Sequence, residues 1–215
     1  MRFWQRCILC VLALTALGGC SLLVERQDAL TVYAPMLAHD PARAIVAQTA
    51  PAWQLAVTAP QAGEALDSTH IVVQPTPGVM QYYKDARWQD TPPAMMQELL
   101  VQALHDLAGL NGVAPAAAGI RADYLLRSDL HAFQSEYRGA KTPTVRVALT
   151  YQLVRSADGK VVAARAFAVE EKCASAQMRD VFAAFQSAIN QVLAQVVDWT
   201  AREADADVHR ASRKD

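Results

Sequence analysis

The final third of the sequence constrains the fold most, because it is typical of a β-hairpin followed by a long amphipathic helix. Apolar residues alternate with polar ones over 145–153, and residues 161–170 are typical of the returning strand. Asp158 and Gly159 lie between them and favour a tight turn, because glycine accepts a positive φ. Apolar residues then recur every three or four positions over 176–201, as on one helix face. This third therefore predicts antiparallel strands whose apolar face is covered by a helix.

The preceding residues predict a second helix and several shorter strands. Apolar residues at 96, 99, 100, 103, 104 and 107 share one helical face; Thr91 can cap this helix, and the glycines at 109 and 112 can end it. Strands are predicted over 53–57, 70–74, 82–88 and 124–132. Together these elements predict an α+β fold in two layers, a mostly antiparallel sheet packed by two amphipathic helices. Residues 202–215 carry mixed charge and few apolar side chains, which predicts a disordered polar tail.

The amino terminus has the pattern of a bacterial lipoprotein signal. Arg2 and Arg6 precede an apolar run over 7–17, which is shorter than the roughly 20 residues of a membrane-spanning helix. The run ends in the tetrapeptide Leu17, Gly18, Gly19 and Cys20. This tetrapeptide resembles the lipobox, which implies a diacylglycerol on the Cys20 thiol, cleavage after residue 19 and a further acyl group, such as palmitate. The alternative is an ordinary cleaved signal peptide, 1–19, in which the cysteine is incidental.

The predicted acylation determines where the protein resides. Two or three acyl chains hold a protein stably on a membrane, whereas one chain binds reversibly. Ser21 follows Cys20, and by resemblance to known bacterial lipoproteins a residue other than Asp there implies sorting to the outer membrane, with the body in the periplasm. Residues 20–51 are interrupted by prolines and predict a tether, in which 31–36 could pair as a short strand. The domain itself is predicted over 52–201.

Cysteine usage and net charge argue against an intramolecular disulfide and a nucleic-acid partner. Cys7 and Cys10 lie in the predicted signal peptide and Cys20 is the predicted acylation site, so Cys173 alone remains in the mature chain. Because no intramolecular disulfide can form, stability has to come from a hydrophobic core. A formal net charge of −1 argues against a nucleic-acid partner, which would favour a basic surface.

The sequence carries no recognisable catalytic or metal-binding motif. Neither the phosphate-binding G-x-x-x-x-G-K-[ST] nor the nucleophile motif G-x-S-x-G occurs. Ser128, Asp129 and His131 invite interpretation as a triad, but strand alternation points Ser128 away from the other two. The five histidines lack H-E-x-x-H spacing. Cys173 is either a reactive thiol or, as we favour, a buried bystander, because no motif that lowers a thiol pKa surrounds it. We therefore expect no enzyme activity, no metal and no cofactor.

A cluster of aromatic residues with an arginine predicts a binding surface. Tyr82, Tyr83, Arg87 and Trp88 lie within seven positions, and tyrosine, tryptophan and arginine are enriched at interface hot spots. Strand alternation places Tyr82 and Trp88 on one face and Tyr83 and Arg87 on the other. We expect the first pair to belong to the core. Tyr83 and Arg87 are therefore the predicted partner interface.

In this order, the residues resemble the ABC-type transport auxiliary lipoprotein family, which includes the paraquat-inducible protein C branch. The resemblance extends from the lipobox to about Trp199, which is nearly the whole mature chain. The matching pieces are Ala65-Leu66-Asp67-Ser68 before Ile71-Val72-Val73; Tyr82-Tyr83 and Ala86-Arg87-Trp88 before Pro92; Ala122-Asp123-Tyr124-Leu125-Leu126 with Asp129-Leu130 and Phe133; and Trp199 in the closing helix. His70 departs from the family pattern, which has another polar residue there.

The resemblance implies both a fold and a set of partners. It implies a domain similar to the amino-terminal domain of TolB and an outer-membrane-anchored subunit of a lipid transport system. The implied partners are an ABC ATPase, a permease and a mammalian-cell-entry (MCE) protein, and the subunit would dock the MCE protein or receive its cargo. One alternative is a lipoprotein of lipopolysaccharide or Tol-type envelope assembly, and a lipoprotein hydrolase is another. A homo-oligomer is also compatible with the sequence.

Overall fold

The computed structural model describes residues 30–38 and 53–213. Within these residues nine strands form one sheet. They are β1, Thr31–Tyr33; β2, Leu55–Val57; β3, Gln61–Ala62; β4, His70–Thr76; β5, Val79–Trp88; β6, Val113–Pro115; β7, Tyr124–Glu136; β8, Thr144–Arg155; and β9, Val161–Lys172. The helices are α1, Pro92–Ala108, and α2, Met178–Ser212, and a 3₁₀ turn spans Ala116–Ala118. The two helices and the main strands predicted from periodicity are thus confirmed.

β7 is the central strand of the sheet, because neighbours pair along both of its edges. One edge pairs antiparallel with β8, which in turn pairs antiparallel with β9. The other edge carries three short strands in succession, β2, β3 and β4, all parallel to β7. Beyond these, β5 pairs antiparallel with β4, β1 runs parallel to β5, and β6 runs parallel to β2.

The α+β class is confirmed, but the expectation of a mostly antiparallel sheet is wrong on the β2–β4 side. Alternation reveals which side chains face the core, and it carries no information on the direction of the neighbouring strand. Parallel strands need a crossover connection, which is usually a helix. α1 lies in the crossover between β5 and β7, so that β7 starts at the same end as β4 and runs parallel to it.

Both helices pack on one face of the sheet, which we call the covered face; the opposite face is the open face. Phe185 of α2 is fully buried, and its ring centroid lies 5.0 Å from that of Trp88 and 5.3 Å from that of Phe133. Farther along α2, the ring of Trp199 lies 5.6 Å from that of Phe167. The buried side chains of both helices and the sheet form one continuous core.

α1 begins and ends where the sequence predicts. Thr91 occupies the capping position, although its side chain makes no capping hydrogen bond, and Pro92 lies in the first turn. Gly109 adopts a φ of 63°, and its N–H donates to the carbonyl of Leu104, which ends the helix.

α2 is longer than predicted, because residues 202–212 continue it instead of forming a disordered tail. Ala204 is completely buried and Asp207 is nearly so. Together with Thr200 they extend the buried row at helical spacing. Tertiary contacts of this row explain why a mixed-charge segment is helical here.

The predicted tether also contributes to the folded body. β1 pairs with β5, and the Tyr33 ring lies 4.9 Å from that of Phe182 on α2. The Met36 N–H donates to Gln186 Oε1 at 2.9 Å, and the Ala38 N–H donates to Asn190 Oδ1 at 2.8 Å. Residues 31–38 are therefore part of the domain, and the predicted strand within 31–36 is confirmed at its amino-terminal half.

Candidate functional site

A β-bulge in β5 reverses the predicted roles of the two adjacent tyrosines. Val72 of β4 faces Tyr82, but His70 faces Arg87, so that β5 contains extra residues between the two pairs. Such a bulge breaks the strict alternation on which the prediction rested. Tyr82, expected in the core, is 47% exposed, whereas Trp88 is buried as predicted.

Tyr83 is half-buried on the covered face, so its prediction as a partner-facing residue is wrong. Its hydroxyl lies 2.9 Å from Ser135 Oγ, and its ring packs against the core. Burial raises the pKa of Tyr83 to about 12, although the hydrogen bond with Ser135 acts in the opposite direction. The side chain therefore stays neutral and links β5 to β7 across the intervening β4.

Arg87 lies on the open face as predicted, but its neighbours there were not foreseen. Val32 and His70 lie directly beside it in register on β1 and β4. Val32 is 58% exposed, and the His70 ring lies 4.9 Å from that of Tyr82. Arg87 forms no ion pair with any other described residue. We call Val32, His70, Tyr82 and Arg87 the β5 patch.

The β5 patch combines side chains that suit protein recognition. Tyrosine and arginine supply large contact area and directional hydrogen bonds, and they are enriched among residues that dominate interface energies. Val32 adds apolar surface beside them. A free guanidinium in this setting favours a partner that presents a carboxylate, a phosphate or an aromatic ring.

The predicted lipid-attachment residues lie outside the described residues. This holds for Leu17, Gly18, Gly19 and Cys20. No helix in the described part of the chain is long and apolar enough to cross a membrane. Acylation of Cys20 therefore stays a prediction from the sequence.

The side chains considered for a catalytic triad are not brought together. Ser128 is buried and faces Tyr151 in register, whereas His131 Nε2 lies 2.8 Å from Thr150 Oγ1 on the exposed side. Burial raises the pKa of the Cys173 thiol, which disfavours the reactive thiolate. Across residues 30–38 and 53–213, no three His, Cys, Asp or Glu side chains form a metal-binding group.

A buried carboxylate near the end of α2 is a feature that the sequence interpretation missed. Asp207 accepts hydrogen bonds from the Tyr124 hydroxyl at 3.0 Å and from Arg155 Nη2 at 2.7 Å and Nε at 3.0 Å. The Arg155 guanidinium holds the pKa of Asp207 below its ordinary value, while burial and the Asp207 carboxylate raise the pKa of Tyr124 to about 12. The spacing of Thr200, Ala204 and Asp207 was the signal that could have found it.

A second polar network closes the turn between β7 and β8. Arg138 Nε donates to Glu136 Oε2 at 2.6 Å, and its two terminal nitrogens donate to Glu170 at 2.6 and 3.0 Å. Arg138 has a φ of 43°, an unusual value for a side chain with a Cβ. Gln134 donates to the buried Glu136 at 2.9 Å. The network fixes the turn, and the Arg138 guanidinium holds the pKa of Glu170 below its ordinary value.

Comparison with known proteins identifies the family. The model of the ABC-type transport auxiliary lipoprotein component family matches residues 36–197. The chain belongs to this family. The chain is also 35% identical to a Xanthomonas campestris protein of the DUF330 family. The crystal structure of that protein gives a TM-score of 0.75, and the match covers 83% of this chain and 99% of that chain.

A more distant structure supports the same fold for this chain. It is the crystal structure of an uncharacterized protein, 16% identical, with a TM-score of 0.62 over 80% of this chain and 99% of that chain. No curated protein matches the chain in sequence. Similarity to the amino-terminal domain of TolB stays a prediction.

Proposed function

We propose that this auxiliary lipoprotein is a non-enzymatic, outer-membrane-anchored subunit of an MCE/ABC-type lipid transport system. It would be acylated at Cys20, reside in the periplasm, and dock the MCE protein or receive its cargo. The family itself names an ABC-type transport component, and the lipobox supports the anchor. The ABC ATPase and the permease of the same transport system would be its further partners.

The β5 patch is the observation that carries this proposal. Val32 and Tyr82 leave about half of their surface in solvent, and Arg87 forms no ion pair within the described residues. An apolar, aromatic and cationic surface of this kind gains most when a protein partner removes it from water. The triad side chains, in contrast, are divided between buried and exposed positions and offer no assembled nucleophile.

The position of the patch suits a tethered docking subunit. β1 contributes Val32 and is also the strand that follows the chain from Cys20. An acyl anchor keeps such a surface at a high effective concentration near any partner that reaches the same membrane. Moderate affinity at the β5 patch is then sufficient for stable docking.

The experiment is a binding measurement between the mature protein and the MCE-domain protein of the same cell. Tyr82→Ser combined with Arg87→Glu should weaken binding by about tenfold or more, since hot-spot truncations commonly cost over 1 kcal/mol. The melting temperature should stay near wild type, because exposed substitutions usually change stability by under about 0.5 kcal/mol. Val161→Ser, also at an exposed valine but at the start of β9, is the matched control.

Two outcomes would contradict the proposal at different levels. If wild-type protein does not bind the MCE protein and instead co-purifies with lipopolysaccharide or Tol-type assembly proteins, the transport assignment is wrong. If binding occurs but the double variant retains full affinity, the interface lies outside the β5 patch.

A further inference from the structure

The turn between β4 and β5 presents apolar side chains to solvent. Val79 is 45% exposed and Met80 is 48% exposed, directly after a turn in which Gly78 has a φ of 82°. Pro77 precedes this glycine. The hairpin tip, residues 77–80, thus carries four residues without a charged side chain.

Other connections lie at the same end of the sheet. Parallel pairing of β4 with β7 places Gln74 beside Glu136, and the Tyr137 N–H donates to the Gln74 carbonyl at 3.0 Å. The β7–β8 turn is therefore adjacent to the hairpin. Thr144 of β8 pairs with Lys172 of β9, so the end of β9 and the start of α2 lie at this end too.

Uncharged apolar residues and free lysines are combined at this end. Lys141 and Lys172 are exposed, and neither forms an ion pair with a described residue. The nearby carboxylates have partners within the protein: Glu136 and Glu170 pair with Arg138, Asp180 pairs with Arg179, and Glu171 accepts from Gln191. Lys141 and Lys172 therefore add positive charge without an ion-pair partner at the same end of the sheet as the hairpin tip.

The direction of β1 relates this end to the membrane anchor. β1 is parallel to β5 and pairs with its final residues, so that the start of β1 points toward the β4–β5 turn. At about 3.5 Å per residue, the chain from Cys20 to Thr31 spans at most about 40 Å. An anchor at Cys20 would thus hold Thr31 within about 40 Å of its bilayer.

We propose that the hairpin tip, residues 77–80, together with Lys141 and Lys172, contacts the anionic lipid bilayer in which Cys20 is anchored. This inference rests on the anchoring in the proposed function and adds a second contact that orients the body. Val79 and Met80 would enter the interfacial region, and the lysines would lie against anionic headgroups. A weak contact is sufficient, because the acyl anchor makes it effectively intramolecular.

The test uses the acylated mature protein, which begins at Cys20, reconstituted in vesicles of phosphatidylethanolamine and phosphatidylglycerol. An environment-sensitive dye is attached at Met80→Cys or, as a matched control, at Val161→Cys, which is 48% exposed in the native residue and lies at the opposite end of the sheet. Cys173 is buried and its pKa is raised, so the unsubstituted protein should take up little dye. Val79→Cys provides a second position at the tip should Met80→Cys fold poorly.

Dye at residue 80 should shift to the blue and be quenched by headgroup-labelled lipid several-fold more than dye at residue 161. Lys141→Glu with Lys172→Glu, or replacement of phosphatidylglycerol by phosphatidylcholine, should reduce this difference. Equal quenching at both ends, or no quenching at residues 79 and 80, would overturn the inference. Flotation of the protein with the vesicles would in that case still support the anchor. Protein that fails to float would overturn the anchoring and this inference together.

Discussion

Both ends of the sheet bury a carboxylate beside an arginine, but only one of them also exposes two adjacent apolar side chains. At the end where β7 begins, Asp207 joins Tyr124 and Arg155, and Trp53 Nε1 donates to Asp205 at 2.8 Å, so that polar groups hold α2 against the sheet. At the end where β7 finishes, Val79 and Met80 lie in solvent. Natural proteins satisfy polar groups that they bury, and adjacent exposed apolar side chains mark a contact surface more often than single ones do. Val79 and Met80 are adjacent, whereas Val161 is exposed singly at the other end, so the end at which β7 finishes is the better candidate for interaction.

The largest expected effect tests whether the two ends share one core. Phe185→Ala should lower the free energy of unfolding by about 3–5 kcal/mol, because a fully buried ring between Trp88 and Phe133 would leave a cavity. Urea unfolding of the mature chain measures this. Phe182→Ala is the control, since Phe182 is only partly buried and should cost less. A change below about 1 kcal/mol would show that α2 is not held by this core.

The next largest effect concerns the hydrogen-bond network of Asp207, at the end where β7 begins. Asp207→Asn should destabilise the protein by about 2–3 kcal/mol, because Arg155 loses its ionic partner in a mostly buried position. Asp205→Asn should cost less, since the new amide oxygen can still accept the Trp53 hydrogen bond. Equal losses of stability in the two variants would contradict a contribution from the ionic pair between Asp207 and Arg155.

The contribution of Asp207 to stability should depend on pH, which acid unfolding measures. The Arg155 guanidinium lowers the pKa of Asp207 from its ordinary 3.8, so the folded state binds this proton less readily than the unfolded chain. The stabilisation is therefore complete above the ordinary pKa and is lost as pH falls through the lower folded value. The stability difference between wild type and Asp207→Asn should shrink from about pH 5 toward about pH 2. A difference that is constant over this range would exclude the ionised carboxylate as its source.

The smallest effect concerns residues 34–38, which lie on α2. Gln186→Ala with Asn190→Ala should cost about 1 kcal/mol, because exposed hydrogen bonds contribute little net stability. Limited proteolysis near Met36 should nevertheless become faster, as the segment loses its attachment to the helix. Gln191→Ala removes an amide from the same helix that bonds Glu171 instead and should leave cleavage unchanged. Unchanged cleavage in the double variant would show that β1 alone holds this segment.

Periodicity in the sequence predicted the helices and main strands, since those patterns depend only on residues two to four positions apart in the chain. It did not predict the reversal of Tyr82 and Tyr83, because the bulge appears only when β5 is paired with β4. Asp207 was missed for a related reason: a carboxylate is assigned to solvent unless its partners are known, and Tyr124 and Arg155 are distant in sequence. Arg87 was correctly placed on the open face, but its association with Val32 depended on a strand assigned to the tether.

The parallel pairing of β1 has a mechanical consequence for the proposed membrane anchoring. Tension that acts on Thr31 along the strand axis would load the pairs with Ala86, Arg87 and Trp88 together in shear. A strand pulled from the side would instead separate one pair at a time. Gln186 and Asn190 hold the chain immediately after β1 and share the same pull. In the proposed anchored protein, such tension would be transmitted to β5 as force before the short strand detaches.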